Sequence, residues 1–123
     1  MPDLEFSFDT PFQSKANFTG TVQALGDDAY IVTGTLTAIC QLNRSECDFS
    51  NTVRFGHGAT SAEYTYSEFT LDYNLKGETG IQGTFEINER GSRSPHETVD
   101  LRLGFNEGLS GQFTYGDKVT ISL

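Results

Sequence analysis

An all-β domain of antiparallel strands is the fold class predicted by three features of the sequence. Apolar residues alternate with polar ones at period two along most of the chain. No window of ten or more residues sustains the i, i+3, i+4 spacing of an amphipathic helix, and short clusters rich in Gly, Asn and Asp punctuate the segments. A length of 123 residues supports one hydrophobic core and is too short for a second of similar size, so residues 1–123 are expected to form a single domain.

In chain order, Leu4, Phe6 and Phe8 alternate with Glu5 and Ser7 until Thr10-Pro11. Phe18, Gly20 and Val22 share one face of the next strand, and Gly26-Asp27-Asp28 turns the chain. The longest run places Tyr30, Val32, Gly34, Leu36, Ala38 and Cys40 on one face and Ile31, Thr33, Thr35, Thr37 and Ile39 on the other, with Asn43-Arg44 as its expected turn. Cys47, Phe49, Val53 and Phe55 continue into Gly56-His57-Gly58-Ala59-Thr60-Ser61, whose glycine content predicts a loop. From Ala62 to Leu75 the large residues change phase, Tyr64 and Tyr66 on even positions and Phe69, Leu71, Tyr73 and Leu75 on odd ones. A bulge near Ser67-Glu68 is expected to absorb that shift. After a turn around Lys76 to Gly80, Ile81, Gly83, Phe85 and Ile87 make a strand ended by a polar loop from Arg90 to His96. Val99, Leu101, Leu103 and Phe105 follow. Turns at Asn106-Glu107-Gly108 and Gly116-Asp117 then set off Leu109, Gly111 and Phe113 from Val119, Ile121 and Leu123. The sum is about eight or nine strands joined by short turns, which predicts a largely meandering antiparallel topology.

One motif recurs, as FTGTV from Phe18, VTGTL from Val32, IQGTF from Ile81 and LSGQF from Leu109, each time with the glycine on the apolar face. Glycine weakens a flat strand, so its placement suggests relief of crowding where strands coil tightly. A closed or nearly closed β-barrel is therefore the preferred architecture. The alternative is a β-sandwich in which a large ring from the facing sheet lies over each glycine, which ten Phe make feasible. The outward threonines Thr19, Thr21, Thr33, Thr35 and Thr37 resemble ladders used to bind ice, but threonine favours any solvated strand face.

Seventeen acidic against eight basic side chains give a formal charge of −9. With no basic run, nucleic acid and anionic membrane surfaces are not expected partners. No stretch has the length of a spanning helix. The opening residues have neither the basic start nor the apolar run of a signal peptide, so the expected compartment is cytoplasmic for a complete chain and secreted or periplasmic for one whose leader has been removed. The sequons at Asn17 and Asn43 matter only in the second case.

Cys40 and Cys47 lie equidistant from Asn43-Arg44, so a two-residue hairpin turn would set them opposite each other as a cross-strand disulfide. Two buried thiols are the competing expectation. No metal site is expected, since no Cys/His cluster occurs, and no cofactor is implied. His57 and His96 sit in segments expected to be loops, where scaffolds place adaptable side chains. Nucleophile elbows, zincin helices and phosphate loops are absent. Tyr64, Tyr66 and Glu68 are the leading site trio, two hydroxylated rings and a carboxylate on one face, with Glu68 the candidate acid or base. Inside a barrel, with His57 or His96 at the mouth, they would orient a small apolar or amphipathic ligand. On an outer surface they would form a sugar-stacking or protein-contacting patch. The expected function is thus a small-molecule-binding barrel. The alternatives are a surface-binding module for carbohydrate or protein, inhibitor type included, and a small barrel enzyme for cyclisation or isomerisation.

Overall fold

The computed structural model describes residues 4–10, 14–41, 51–71, 80–106 and 112–123. Their alternating patterns become nine strands: β1 (Leu4–Asp9), β2 (Lys15–Ala24), β3 (Ala29–Gln41), β4 (Asn51–Ala59), β5 (Thr65–Leu71), β6 (Gly80–Ser92), β7 (Val99–Asn106), β8 (Thr114–Tyr115) and β9 (Val119–Ile121). All pairings are antiparallel. One sheet runs β1-β2-β3-β6; the other runs β5-β4-β7, and β8 and β9 both pair along the remaining edge of β7. Among the described residues no helix is long and apolar enough to cross a membrane.

Neither sheet closes on itself, so the closed barrel is not confirmed. The glycines do not meet the sandwich expectation of a facing-sheet ring over each: Phe18 over Gly34 and Phe85 over Gly83 belong to the glycines' own sheet, and Leu71 reaches Gly83 from the other. A β-carbon on Gly34 would stand 2.7 Å from Gly20 Cα and 2.8 Å from Phe18 Cζ, and one on Gly83 would stand 2.6 Å from Phe85 Cζ and from Leu71 Cδ2. Gly20 faces Gly34 across β2 and β3, so this pair lets two backbones approach where any β-carbon would strike the opposite strand.

The meander also needs correction. Consecutive strands pair at β1-β2, β2-β3, β4-β5 and β7-β8, but β6 returns beside β3 and β7 beside β4. Since β3 and β4 belong to different sheets, the expected hairpin joining the strand of Cys40 to that of Val53 is not formed among the described residues. Cys40 is disulfide-bonded, while Cys47, Phe49 and the Asn43-Arg44 turn lie outside the described residues. The turn around Lys76 and most of the Asn106-Glu107-Gly108 turn also lie outside them, as do Tyr73, Leu75, Leu109 and Gly111.

Burial follows the predicted faces. Phe18, Tyr30, Val32 and Leu36 from one sheet meet Val53, Phe55, Leu101, Leu103 and Phe105 from the other in one apolar cluster. The Phe18 and Phe55 rings pack across the sheets at 4.8 Å between centroids, and Phe69 of β5 stacks on Phe85 of β6 at 4.9 Å. Arg93 ties the connection after β6 to the β2-β3 turn, donating from Nη2 to Gly26 O (2.8 Å), from Nε to Ala29 O (3.3 Å) and from Nη1 to Glu97 O (3.3 Å).

Candidate functional site

Two local corrections define the site. The segment Gly56–Ala59 is strand, the second half of β4, and not a loop. Phe55, His57 and Ala59 point into the core, while Gly56 and Gly58 occupy the outward positions. The expected bulge near Ser67-Glu68 is also absent, since β4 and β5 pair without interruption from Asn51↔Leu71 to His57↔Thr65. The phase change has a different cause: β5 carries large residues on both faces. Phe69 and Leu71 pack against the core, and Tyr66 and Glu68 face outward.

The trio Tyr64, Tyr66 and Glu68 is therefore brought together on the outer face of the second sheet and does not line a lumen. Tyr66 is 36% exposed. Its ring occupies the space left by Gly56, where a β-carbon would stand 2.5 Å from Tyr66 Cε1. Tyr115 covers Gly104 in the same way, its Cδ1 and Cε1 both 2.7 Å from where a β-carbon would be, and Tyr64 Cδ1 lies 3.3 Å from that position at Gly58. Cross-strand pairing of Gly56 with Tyr66 and of Gly104 with Tyr115 puts each ring beside its glycine. The rings form a continuous row. Tyr64 and Tyr66 centroids lie 5.7 Å apart, Tyr66 and Tyr115 5.6 Å, and Phe113 and Tyr115 6.1 Å.

Charged side chains are set among the rings. Arg54 pairs with Glu68 through Nε (2.7 Å) and Nη2 (2.5 Å) on the same carboxylate oxygen, and donates from Nη1 to the Tyr115 hydroxyl at 2.6 Å. The Arg54 guanidinium carbon also lies 3.8 Å from the Phe113 ring centroid. Glu68, 48% exposed and ion-paired, is a structural partner of Arg54 and not a carboxyl enclosed by rings. Arg102, opposite Gly56 on β7, donates from Nε to Gly116 O at 2.9 Å and lies 5.1 Å from the Tyr115 ring centroid. Asp100, 3% exposed, accepts from Thr120 Oγ1 at 2.7 Å. Burial foremost, and then the Asp100 charge, push the Tyr64 phenol above its ordinary pKa.

The histidines do not join this face. His57 is 2% exposed and lies between the sheets, with Nδ1 2.7 Å from the Tyr30 hydroxyl and Nε2 2.8 Å from Glu89 Oε1. A carboxylate only accepts, so Nε2 carries the proton, and in the neutral ring Nδ1 accepts from Tyr30. Ser67 Oγ donates to the other Glu89 oxygen at 2.6 Å, completing a chain from β3 through β4 and β6 to β5. Burial first, and the Glu89 charge second, raise the Tyr30 phenol. His96 is exposed at a turn closed by Glu97 N donating to Ser94 O (2.9 Å), where its φ of 65° lies in the left-handed region.

Sequence reasoning missed Arg54, Arg102, Phe113, Tyr115 and the Tyr30–His57–Glu89–Ser67 chain. The two arginines carried a signal, since each interrupts a strongly apolar strand at an outward position, as Val53-Arg54-Phe55 and Leu101-Arg102-Leu103. A groove of about 540 Å³ lies away from the tyrosine row, on the outer face of the first sheet among Ser7, Lys15, Asn17, Thr37, Gln82 and Thr84. Within it Ser7 Oγ donates to Asn17 Oδ1 at 2.7 Å, and Asn17 Nδ2 donates to Thr19 Oγ1 at 3.3 Å. Among the described residues no group of three or more His, Cys, Asp or Glu side chains is placed to hold a metal ion. Comparison with protein-family models, with curated proteins and with solved structures finds no match for this chain.

Proposed function

We propose that the domain is a two-sheet sandwich acting as a surface-binding module, taking a carbohydrate chain across the outer face of the sheet built from β5, β4, β7, β8 and β9. The observation that carries this is the row of tyrosine rings seated on glycines. Gly56 and Gly104 let Tyr66 and Tyr115 pack against bare backbone, which holds them in place at small entropic cost. Sugars present alternating C–H faces and hydroxyl rims, which suits rings bordered by directional donors and acceptors such as Arg54, Glu68 and the tyrosine hydroxyls. A ligand held in a lumen has less support, because apolar side chains occupy the space between the sheets. An enzyme for cyclisation or isomerisation would need substrate access to a buried acid or base, and Tyr30 and His57 are packed within the core.

The test is isothermal titration against a panel of neutral and acidic oligosaccharides, repeated with Tyr66→Ala. Binding that weakens about tenfold or more in the variant supports the proposal, that being the size of effect expected of a ring central to an interface. No binding to any member of the panel refutes it.

A further inference from the structure

We propose that the sugar taken by this face is a uronic acid, whose carboxylate is recognised by Arg102. This rests on the carbohydrate-binding function proposed above and narrows its ligand class.

The charged groups on the outer face differ in how they are met. Three of the five Arg54 donors are engaged, by Glu68 and by the Tyr115 hydroxyl. Glu68 is held by Arg54, and Asp100 by Thr60 Oγ1 (3.2 Å), Thr120 Oγ1 (2.7 Å) and, at 3.9 Å, Lys118 Nζ. Arg102 stands apart. Its Nε–H is fixed on Gly116 O and its guanidinium lies by the Tyr115 ring, but among the described residues its two terminal nitrogens meet neither an acceptor nor an acid. Anchoring through Nε and the ring sets the plane of the group without using these terminal donors. Two parallel N–H groups in a fixed plane match the two oxygens of a carboxylate better than the single oxygen of a sugar hydroxyl.

Position completes the case. Arg102 pairs with Gly56, which pairs with Tyr66, so the open fork and the most exposed ring flank the same outward glycine. A pyranose stacked on Tyr66 with its C5 turned toward Gly56 would present its carboxylate to Arg102. The overall charge of −9 repels polyanions at long range. Recognition is therefore a contact effect, best read at physiological ionic strength, where the screening length is about 8 Å.

The experiment is titration of the whole domain with short oligogalacturonates, the same oligomers as methyl esters, and cello-oligosaccharides of equal length. The expected result is a preference of about tenfold or more for the free acid over both others, the scale of a lost charge-assisted hydrogen-bond pair. Arg102→Met should abolish that preference, so that acid, ester and neutral oligomers bind the variant alike. Esterification changes only the ligand, so the comparison stands even if the variant is poorly folded. Equal binding of acid, ester and neutral oligomer would overturn the inference while leaving the tyrosine face as the binding site. Absence of binding to all three, and to the wider panel, would overturn both.

Discussion

Removing one oxygen atom from Tyr30 tests whether the chain through His57 is a structural bond between the sheets. Tyr30 is 1% exposed, and its hydroxyl meets His57 Nδ1 at 2.7 Å across the interior. Tyr30→Phe keeps the ring, and with it the packing over Gly91, so hardly any apolar burial is lost. What remains is a buried imidazole nitrogen without its donor, a deficit of roughly 1–3 kcal/mol. Removing the buried hydroxyl itself recovers part of this, which leaves a net loss of about 1–2 kcal/mol. An unfolding entropy of about 2.1 cal/mol/K per residue gives about 0.26 kcal/mol/K for 123 residues, so Tm should fall by about 4–8 °C. Urea unfolding followed by circular dichroism at pH 7 measures the loss directly. In a His57→Leu background the same substitution should cost under about 0.5 kcal/mol, because the orphaned acceptor is gone. Equal losses in both backgrounds would show that the hydroxyl contributes nothing through His57, and the cross-sheet bond would have to be abandoned.

Other expectations follow from individual contacts. Gly34→Val should cost about 2–3 kcal/mol by denaturant unfolding and Thr35→Val under about 0.5, since a side chain at Gly34 strikes the backbone of β2 while Thr35 faces outward; comparable losses would contradict that placement. Gly56→Ala should displace the Tyr66 ring and weaken oligosaccharide binding with a stability change within about 1 kcal/mol, and unchanged binding would count against the ring's seat. The Glu97 carboxylate accepts from the Ser61 hydroxyl and from the Ser61 and Ser94 backbone N–H groups, which lower its pKa from 4.5 to about 2. A depressed folded-state pKa means stabilisation present above about 4.5 and lost as pH falls towards 2; Glu97→Gln should therefore flatten acid unfolding in that window, and an unaltered profile would deny the contribution. Thiol titration of denatured, unreduced protein should find no free thiol, and reduction should cost on the order of 2 kcal/mol for the short loop from Cys40 to Cys47, whereas two titratable thiols would exclude the bond.

The strands were legible wherever one face is apolar throughout. Tyr30 to Cys40 and Val99 to Phe105 each carry one unbroken apolar face, and they became central strands with the predicted faces inward. Periodicity says nothing, however, about which strand lies beside which, so the return of β6 to β3 and the division into two sheets could not be read from it. Gly56 and Gly58 misled because glycine content normally marks a loop. Here Gly56 makes room for the ring of Tyr66 on the neighbouring strand and Gly58 for that of Tyr64 just before it, information carried ten and six residues later. The trio was recognised as a group, but its face was assigned through a bulge that is absent. His57, between two glycines, is expected in a loop, yet alternation with Phe55 and Ala59 already puts it on the inward side.

The outer edge of β7 is covered in two pieces, two residues of β8 and three of β9, with Gly116, Asp117 and Lys118 between them. A long, straight strand in that position would offer an uninterrupted row of N–H and C=O groups, to which another chain could add a strand of its own. The break replaces that row with two stubs too short to template a partner, and the exposed Asp117 and Lys118 put charges in the gap between them. Edge-to-edge aggregation is thus discouraged on this side by the break between β8 and β9, and joining the stubs into one apolar strand would invite it.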